Sequence, residues 1–321
     1  MIFGLTIVIG GAASAKAACT LTGFVRDGIN LTAAQINPSG TVSGDVDATG
    51  CNIGIYYDHA KGAVNSANVH GSNYYGVVVN GDFNEVAVNV TNNTVTQIGE
   101  SPFNGTQHGV GIYYRAFGTG STSGKVTGNI VTQYQKGGIV VNGASTVAVS
   151  DNTVTGLGPV DLIAQNGIQA GYGATVQIKR NVVTGNAYTG ANFASSGGVL
   201  VVGGDCYGGA FTTGTQIMGN TLVNNDVGAF LSNLDATCNP PITSTNAKVV
   251  NNTITNDALT NLTGLSATQG YQAGVSDQGN NDKIINNTIS GVGYTSPGNS
   301  TTFATPIDTT VTNLSKVHAN K

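Results

Sequence analysis

Four short phrases decide the fold: Gly138-Ile139-Val140-Val141, Asn152-Thr153-Val154-Thr155, Gly167-Ile168-Gln169-Ala170 and Asn181-Val182-Val183-Thr184. They state the same two elements twice in succession. One element is a Gly leading a short β-prone run. The other is an Asn followed by a Thr or aliphatic residue, an aliphatic residue and usually Thr. Outward from this stretch the first element recurs at Gly54, Gly76, Gly111, Gly198, Gly228 and Gly274, and the second at Asn93, Asn129, Asn220, Asn252 and Asn287. From Gly76 onward the two alternate without exception. The Asn-to-Asn intervals of 36, 23, 29, 39, 32 and 35 residues average about 32, the signature of a solenoid with loops of varied length.

The runs are too short for the helices of a helical repeat, and their β-branched content favours strands. Stacked coils pair each strand with its equivalents above and below, giving parallel sheets around a continuous apolar core. The expectation is all-β: a single-domain right-handed parallel β-helix of about eight coils. Residues 1–17 read as a signal peptide, 18–50 as an N-terminal cap, 51–293 as the β-helix and 294–321 as a C-terminal cap or loose tail. An Asn recurring at one turn is expected to stack as an amide ladder. That use makes the Asn-x-Thr sequons structural and removes them as glycan acceptors.

These coil motifs, over residues 50 to 293, resemble the right-handed β-helix repeat proteins of the pectin-lyase-like superfold. That group includes NosD-type β-helix proteins and many polysaccharide-active enzymes. The resemblance implies the architecture and leaves activity open.

Composition narrows the partners. The chain has 321 residues, of which 9% are charged and 40% hydrophobic, with 47 Gly, no Trp and a net charge of −4. So few cations form no basic stripe, and nucleic acid is not an expected partner. Met1 to Ile9 is an apolar run followed by small residues ending Ala15-Lys16-Ala17, which reads as an export signal. It is well short of the roughly 20 residues a membrane span requires. Cys19 follows directly, but Lys16 argues against a lipid anchor there. A secreted or periplasmic monomer is expected, with a polysaccharide or cell-surface glycan as its partner.

Cys19, Cys51, Cys206 and Cys238 allow three disulfide connectivities. The repeat register places Cys206 and Cys238 at similar sites of adjacent coils, so Cys206–Cys238 is expected to staple two loops and Cys19–Cys51 to fasten the N-terminal cap.

Alternation puts Ile55, Val77, Ile112, Ile139, Ile168 and Val199 inward. The next column, Tyr56, Val78, Tyr113, Val140, Gln169, Leu200 and Phe230, then faces outward. It is expected either to offer sugar rings a flat platform or to be covered by the loops at 97–109, 185–197 and 256–272. Two residues on, Asp58, Asn80, Arg115 and Asn142 follow one another on successive coils, with His59 beside them. Ahead of the same strands lie Gln107-His108, Gln135-Lys136 and Gln165-Asn166.

Such a cluster suits either binding of a glycan or elimination and epimerisation of a uronate. For the chemistry, Arg115 would be the carboxylate clamp, His108 or Lys136 the base and Tyr113 or Tyr114 the acid, while Asp58 would hold a metal or orient His59. Tyr56, Asn80, Tyr113 and Gln165 would contact substrate. Tyr57-Asp58-His59 resembles the Ile-Asp-His segment of pectate lyases. The Asn-Thr-Asp, Asp-Asp, Gly-His-Gly and Arg-Ile-Lys motifs of polygalacturonases are absent, which disfavours that hydrolase chemistry. No cofactor is implied, and no metal site beyond a Ca2+ ion between Asp205 and Asp235. A third use lies in the outward threonines flanking Val95, Val154 and Ile254, whose Thr-x-Thr arrays resemble those of some ice-binding proteins. Catalysis, binding and a purely structural surface role all remain open at this stage.

Overall fold

The computed structural model describes residues 18–59, 61–263, 270–296, 303–309 and 314–321; the signal-like residues 1–17 lie outside them. The chain is a parallel β-helix. Gly-led strands from Ile53–Tyr57 to Tyr271–Asp277 follow one another in chain order along an 11-stranded sheet. The Asn-led strands, from Thr94–Thr96 to Thr288–Ser290, stack in the same way in a 17-stranded sheet. That sheet holds a second row, represented by Glu85–Thr91, Ser121–Thr127 and Ser145–Ser150. Lys61–His70 joins the two rows, pairing with Glu85–Thr91 through its first half and with Thr94–Thr96 through its second.

Parallel pairing reaches beyond residues 51–293 at both ends. Ile29–Ile36 pairs with the first Gly-led strand and Thr41–Asp47 with Lys61–His70, while Phe303–Thr309 and Lys316–His318 extend the far end. These outer coils lack one or both repeat phrases, which is why the motif count stops short of them.

The register follows the inward residues. Ile55, Val77, Ile112, Ile139, Ile168 and Val199 join Val95, Val131, Val154 and Val183 of the Asn-led row in one fully buried core. The leading Gly stands where the Gly-led sheet meets the Asn-led row. A Cβ on Gly76 would lie 2.5 Å from the Gly111 carbonyl oxygen and 2.7 Å from Val95 Cγ1. On Gly111 it would lie 2.6 Å from Val131 Cγ1 and 2.7 Å from the Gly138 oxygen. No side chain fits there.

All seven expected asparagines form the ladder, and Asn320 adds an eighth rung. Each Nδ2 donates to the Oδ1 of the next rung at 2.8–3.0 Å, from Asn93 through Asn287 to Asn320. Each backbone N–H donates to the same oxygen. The other Nδ2 hydrogen goes to a core residue's carbonyl one coil back, Val126 for Asn152 and Val149 for Asn181. Both donors and both lone pairs are thus used. The corner is made by the preceding residue in a left-handed conformation: Asn92, Asp151, Arg180, Asn251 and Asn286 all have φ of 55–59°. In the sequons Asn92-Asn93-Thr94, Asn251-Asn252-Thr253 and Asn286-Asn287-Thr288 the buried ladder residue is the middle one; the acceptor positions Asn92, Asn251 and Asn286 are exposed corner residues, so the ladder does not remove them as glycan acceptors.

Both disulfides join the expected partners, Cys19 with Cys51 and Cys206 with Cys238. A bridged Cys19 has no thiol for a lipid anchor.

The loops at 185–197 and 256–272, insofar as described, gather at a corner around the fully buried Asp226. Its Oδ2 accepts from Tyr188 N, Ser196 N and Asn261 Nδ2. Burial pushes its carboxyl up to about 8.

Two stability measurements test these assignments. Asn152→Ala and Asn181→Ala each strand buried backbone and amide partners, so denaturant titration should show losses on the order of 1–3 kcal/mol. Thr155→Ala removes a part-exposed hydroxyl contact with Thr184 and should cost under about 0.5 kcal/mol. At Asp226 the folded chain holds a proton that the unfolded chain releases near pH 4. Stability should therefore fall as pH rises toward 8, by about 1.4 kcal/mol per unit for this one proton. Asp226→Asn should flatten that slope; an unchanged slope would remove Asp226 as its source.

Candidate functional site

The outer face of the Gly-led sheet is shaped by an N-terminal hairpin. Thr20–Arg26 runs antiparallel to Ile29–Ile36, joined at Asp27-Gly28, both with positive φ (52° and 78°), as a tight two-residue hairpin turn requires. The strand carries Phe24 over the sheet, its ring 6.2 Å from Tyr56 and 6.0 Å from Tyr75. Phe24, Tyr56, Tyr75, Val78, Tyr113 and Val140 belong to a second apolar cluster outside the coil core. The outward column is thus covered as ordinary core over the early coils, but by this hairpin and not by the three loops expected to do so. Further along, Leu200 and Phe230 are only partly buried.

That cover changes what the tyrosines can do. Tyr56 is 2% and Tyr113 8% exposed, so neither offers a free ring face. The Tyr56 hydroxyl accepts from Asn80 Nδ2 at 2.9 Å, and burial pushes the phenol up to about 12. Tyr114, the alternative acid, points into the coil and donates to the Val88 carbonyl at 2.7 Å. Its place one residue beyond Tyr113 on a strand makes that inward direction unavoidable.

Asn80, Arg115 and Asn142 are register partners on successive coils. Arg115 Nη1 donates to Asn80 Oδ1 at 2.9 Å and contacts Asp82 Oδ2. Its guanidinium lies 4.6 Å from the Phe24 ring centre and 5.3 Å from that of Phe117. The expected carboxylate clamp is therefore already engaged by the chain's own Asp82. Asp58 accepts from Asn37 Nδ2 at 2.8 Å and contacts His59.

Two hollows flank Arg115. One, of about 370 Å³, is bordered by Phe24, Tyr56, Asp58, Asn80 and Asp82. The other, of about 440 Å³, is bordered by Tyr113, Lys136, Asn142, Gln169 and Tyr172, with Phe117 at its edge. Lys136 Nζ donates to the Ala164 carbonyl at 2.8 Å, and burial pulls its ammonium down to about 8. A larger hollow of about 510 Å³ lies at another corner, beside Gln97, Glu100 and Gln133.

Two expected site residues stand apart from the groove. His108 is buried, stacked 3.7 Å from the Tyr74 ring centre, with Nε2 2.7 Å from Glu100 Oε1 and Nδ1 3.4 Å from Asp27 Oδ2. Both ring nitrogens face carboxylates, so it is not placed to act as a base in the groove. Gln165 is fully buried; its amide serves the backbone of Tyr134, Gln135 and Leu157, not a substrate. Asp235 Oδ1 closes its own loop by accepting from Thr237 and Asn239, and no cluster of three or more His, Cys, Asp or Glu occurs among the described residues. The residues that sequence reasoning missed are Phe24, Asp82, Phe117 and Tyr172. Only Phe24 had a legible signal, the Asp27-Gly28 hairpin turn.

No protein-family model matches the chain, and no curated protein matches it. Among solved structures it is similar to the Dettilon tailspike protein (gp208), with a TM-score of 0.48 and 16% identity over 82% of this chain and 56% of that one. The chain thus spans little more than half of that protein's length.

The Arg115–Asp82 pair, 13% and 18% exposed, should behave as one unit. Either Arg115→Ala or Asp82→Ala leaves a partly buried charge alone. A double-mutant cycle on unfolding should return a coupling of about 1–3 kcal/mol; additive effects would show that the ion pair does not hold the groove.

Proposed function

We propose that the protein is an extracytoplasmic glycan-binding β-helix whose ligand lies along the Gly-led sheet, across the two hollows beside Arg115. The observation that carries this reading is the succession of polar groups along the sheet axis. Asn80, Arg115 and Asn142 occupy neighbouring coils, with the Tyr113 edge and the Gln169 amide beside them. Coils repeat every ~4.8 Å, so a polymer following the axis meets a new donor or acceptor at each coil. Two disulfides fit an oxidising compartment. Among the described residues no helix is long and apolar enough to cross a membrane.

Binding is favoured over catalysis because the groups suited to proton transfer are mostly committed to the scaffold. His108 faces Glu100 and Asp27, Tyr114 is inward, and Arg115 is held by Asp82. Lys136 alone supports a second reading. An amine pulled down to about 8 by burial is closer to the strength of a general base than an exposed lysine, as uronate elimination or epimerisation would need.

Affinity electrophoresis against a panel of polysaccharides tests the proposal. The parent should be retarded by at least one. Gln169→Ala and Phe117→Ala should weaken that binding by about 10-fold with unchanged circular dichroism, whereas Thr253→Ala on the Asn-led sheet should not. Binding that survives the groove variants but is lost with Thr253→Ala would move the site to the threonine face. Ultraviolet absorbance of an unsaturated uronate product in the same mixtures would establish the lyase in place of the binding protein.

A further inference from the structure

The two hollows differ in charge. The one that holds Asp58 and Asp82 is lined by two carboxylates and Arg115. The one across Arg115 is lined by three cations, Arg26, Arg115 and Lys136, and by no Asp or Glu. In a chain of net charge −4 with 12 Lys and Arg in all, that is a marked local excess. Two of the three are balanced from outside the hollow, Arg26 by Asp27 at 3.3 Å and Arg115 by Asp82. Lys136 has no such balance: it donates to the neutral Ala164 carbonyl, and no carboxylate among the described residues forms an ion pair with it.

We infer that this hollow is the subsite for an anionic sugar residue, with Lys136 as the specificity-determining group that receives its carboxylate or sulfate. The inference rests on the glycan-binding reading and deepens it. A part-buried ammonium with one hydrogen bond to a neutral oxygen has donors to spare, and an anion brought to it forms a charge-assisted bond. The Gln169 and Asn142 amides stand beside it for the sugar's hydroxyls, and they are already bonded to each other at 3.0 Å, which fixes their orientation. The acidic hollow on the other side of Arg115 repels a second anion. The pattern therefore suits a polymer in which charged and neutral units alternate, or the charged end of a chain.

The lowered Lys136 pKa gives the test a second handle. Lys136 is cationic below about pH 8, so selectivity for the anion should be present there and decline above it. The other titratable groups lining the hollow are Tyr75, Tyr113 and Tyr172, with Tyr75 and Tyr172 pushed upward by burial, while Arg26 and Arg115 keep their charge throughout.

The experiment is titration calorimetry of the full chain with three sets of oligosaccharides of equal length: oligouronates, sulfated oligosaccharides and their neutral counterparts. The parent should bind one anionic set about 10- to 100-fold more tightly than the neutral set, and which set it prefers identifies the anion. Lys136→Met and Lys136→Gln should abolish that preference, with circular dichroism and thermal melting like the parent's as the check that they fold. A parent that binds glycans without charge preference, or variants that keep the preference, would overturn this inference and leave the glycan-binding reading intact. Failure of every glycan to bind would overturn both.

Discussion

One amide per coil holds the architecture in place. A coil of this chain turns its corner through a left-handed residue, and there the backbone leaves the strand ladder with groups to satisfy. The buried Asn that follows accepts the N–H and Nδ2 of the previous rung on one oxygen and gives its own Nδ2 to the next rung and to a core carbonyl behind it. Because both hydrogens and both lone pairs are taken, a rung cannot slip without stranding four groups at once. That locks the register, and the register does the rest. It aligns the inward Val and Ile columns, and brings each leading Gly against the carbonyl of the next. The outward side chains of successive coils are stacked by the same constraint, so Arg115 sits between Asn80 and Asn142 because of asparagines on another side of the coil.

The outer face of the Gly-led sheet follows a different logic. Its second column is aromatic and aliphatic, and left bare it would be a large exposed apolar patch. The N-terminal hairpin covers it, but a seven-residue strand ending at Asp27-Gly28 reaches only the first coils. The groove forms where that cover stops. Arg115 lies at the edge, in contact with the rings of Phe24 of the hairpin and Phe117 of its own coil, and its charge is balanced by Asp82. One aromatic from a non-repeating segment thus converts a flat sheet into two hollows of opposite charge.

The solenoid was legible because its information is repeated. Gly and Asn each occupy one geometric position that tolerates little else, and every coil writes that requirement again. The Cys206–Cys238 bridge was legible for the same reason, since register places the two on adjacent coils, and Cys19–Cys51 followed as the remaining pair. The end coils were less so: Asn320 is a ladder rung, but it is followed by Lys321 where the other rungs have Thr or an aliphatic residue. The site was legible only as a column. Asp58, Asn80, Arg115 and Asn142 could be aligned from the repeat, yet nothing in the repeat says that Asp82 neutralises Arg115, that Glu100 and Asp27 sequester His108, or that Gln165 is spent on backbone. Those facts arise from loops and from the hairpin, where each residue occurs once.

The same reasoning separates what the fold needs from what it does not. A buried cation without a counter-charge costs stability, and this chain neutralises or exposes most of its few ionic groups. Arg180 pairs with Asp151 in the open, Arg115 with Asp82, and Asp226, which has no cation among its partners, holds its proton instead. Lys136 is part-buried and has no carboxylate partner among the described residues. Its hydrogen bond to Ala164 uses one donor of three, and a Met of similar length could fill the same volume without the penalty. The ladder, the core and the hairpin are complete without that charge. The charge is thus one that the fold does not use, and the hollow beside it is where an anion from outside would meet it.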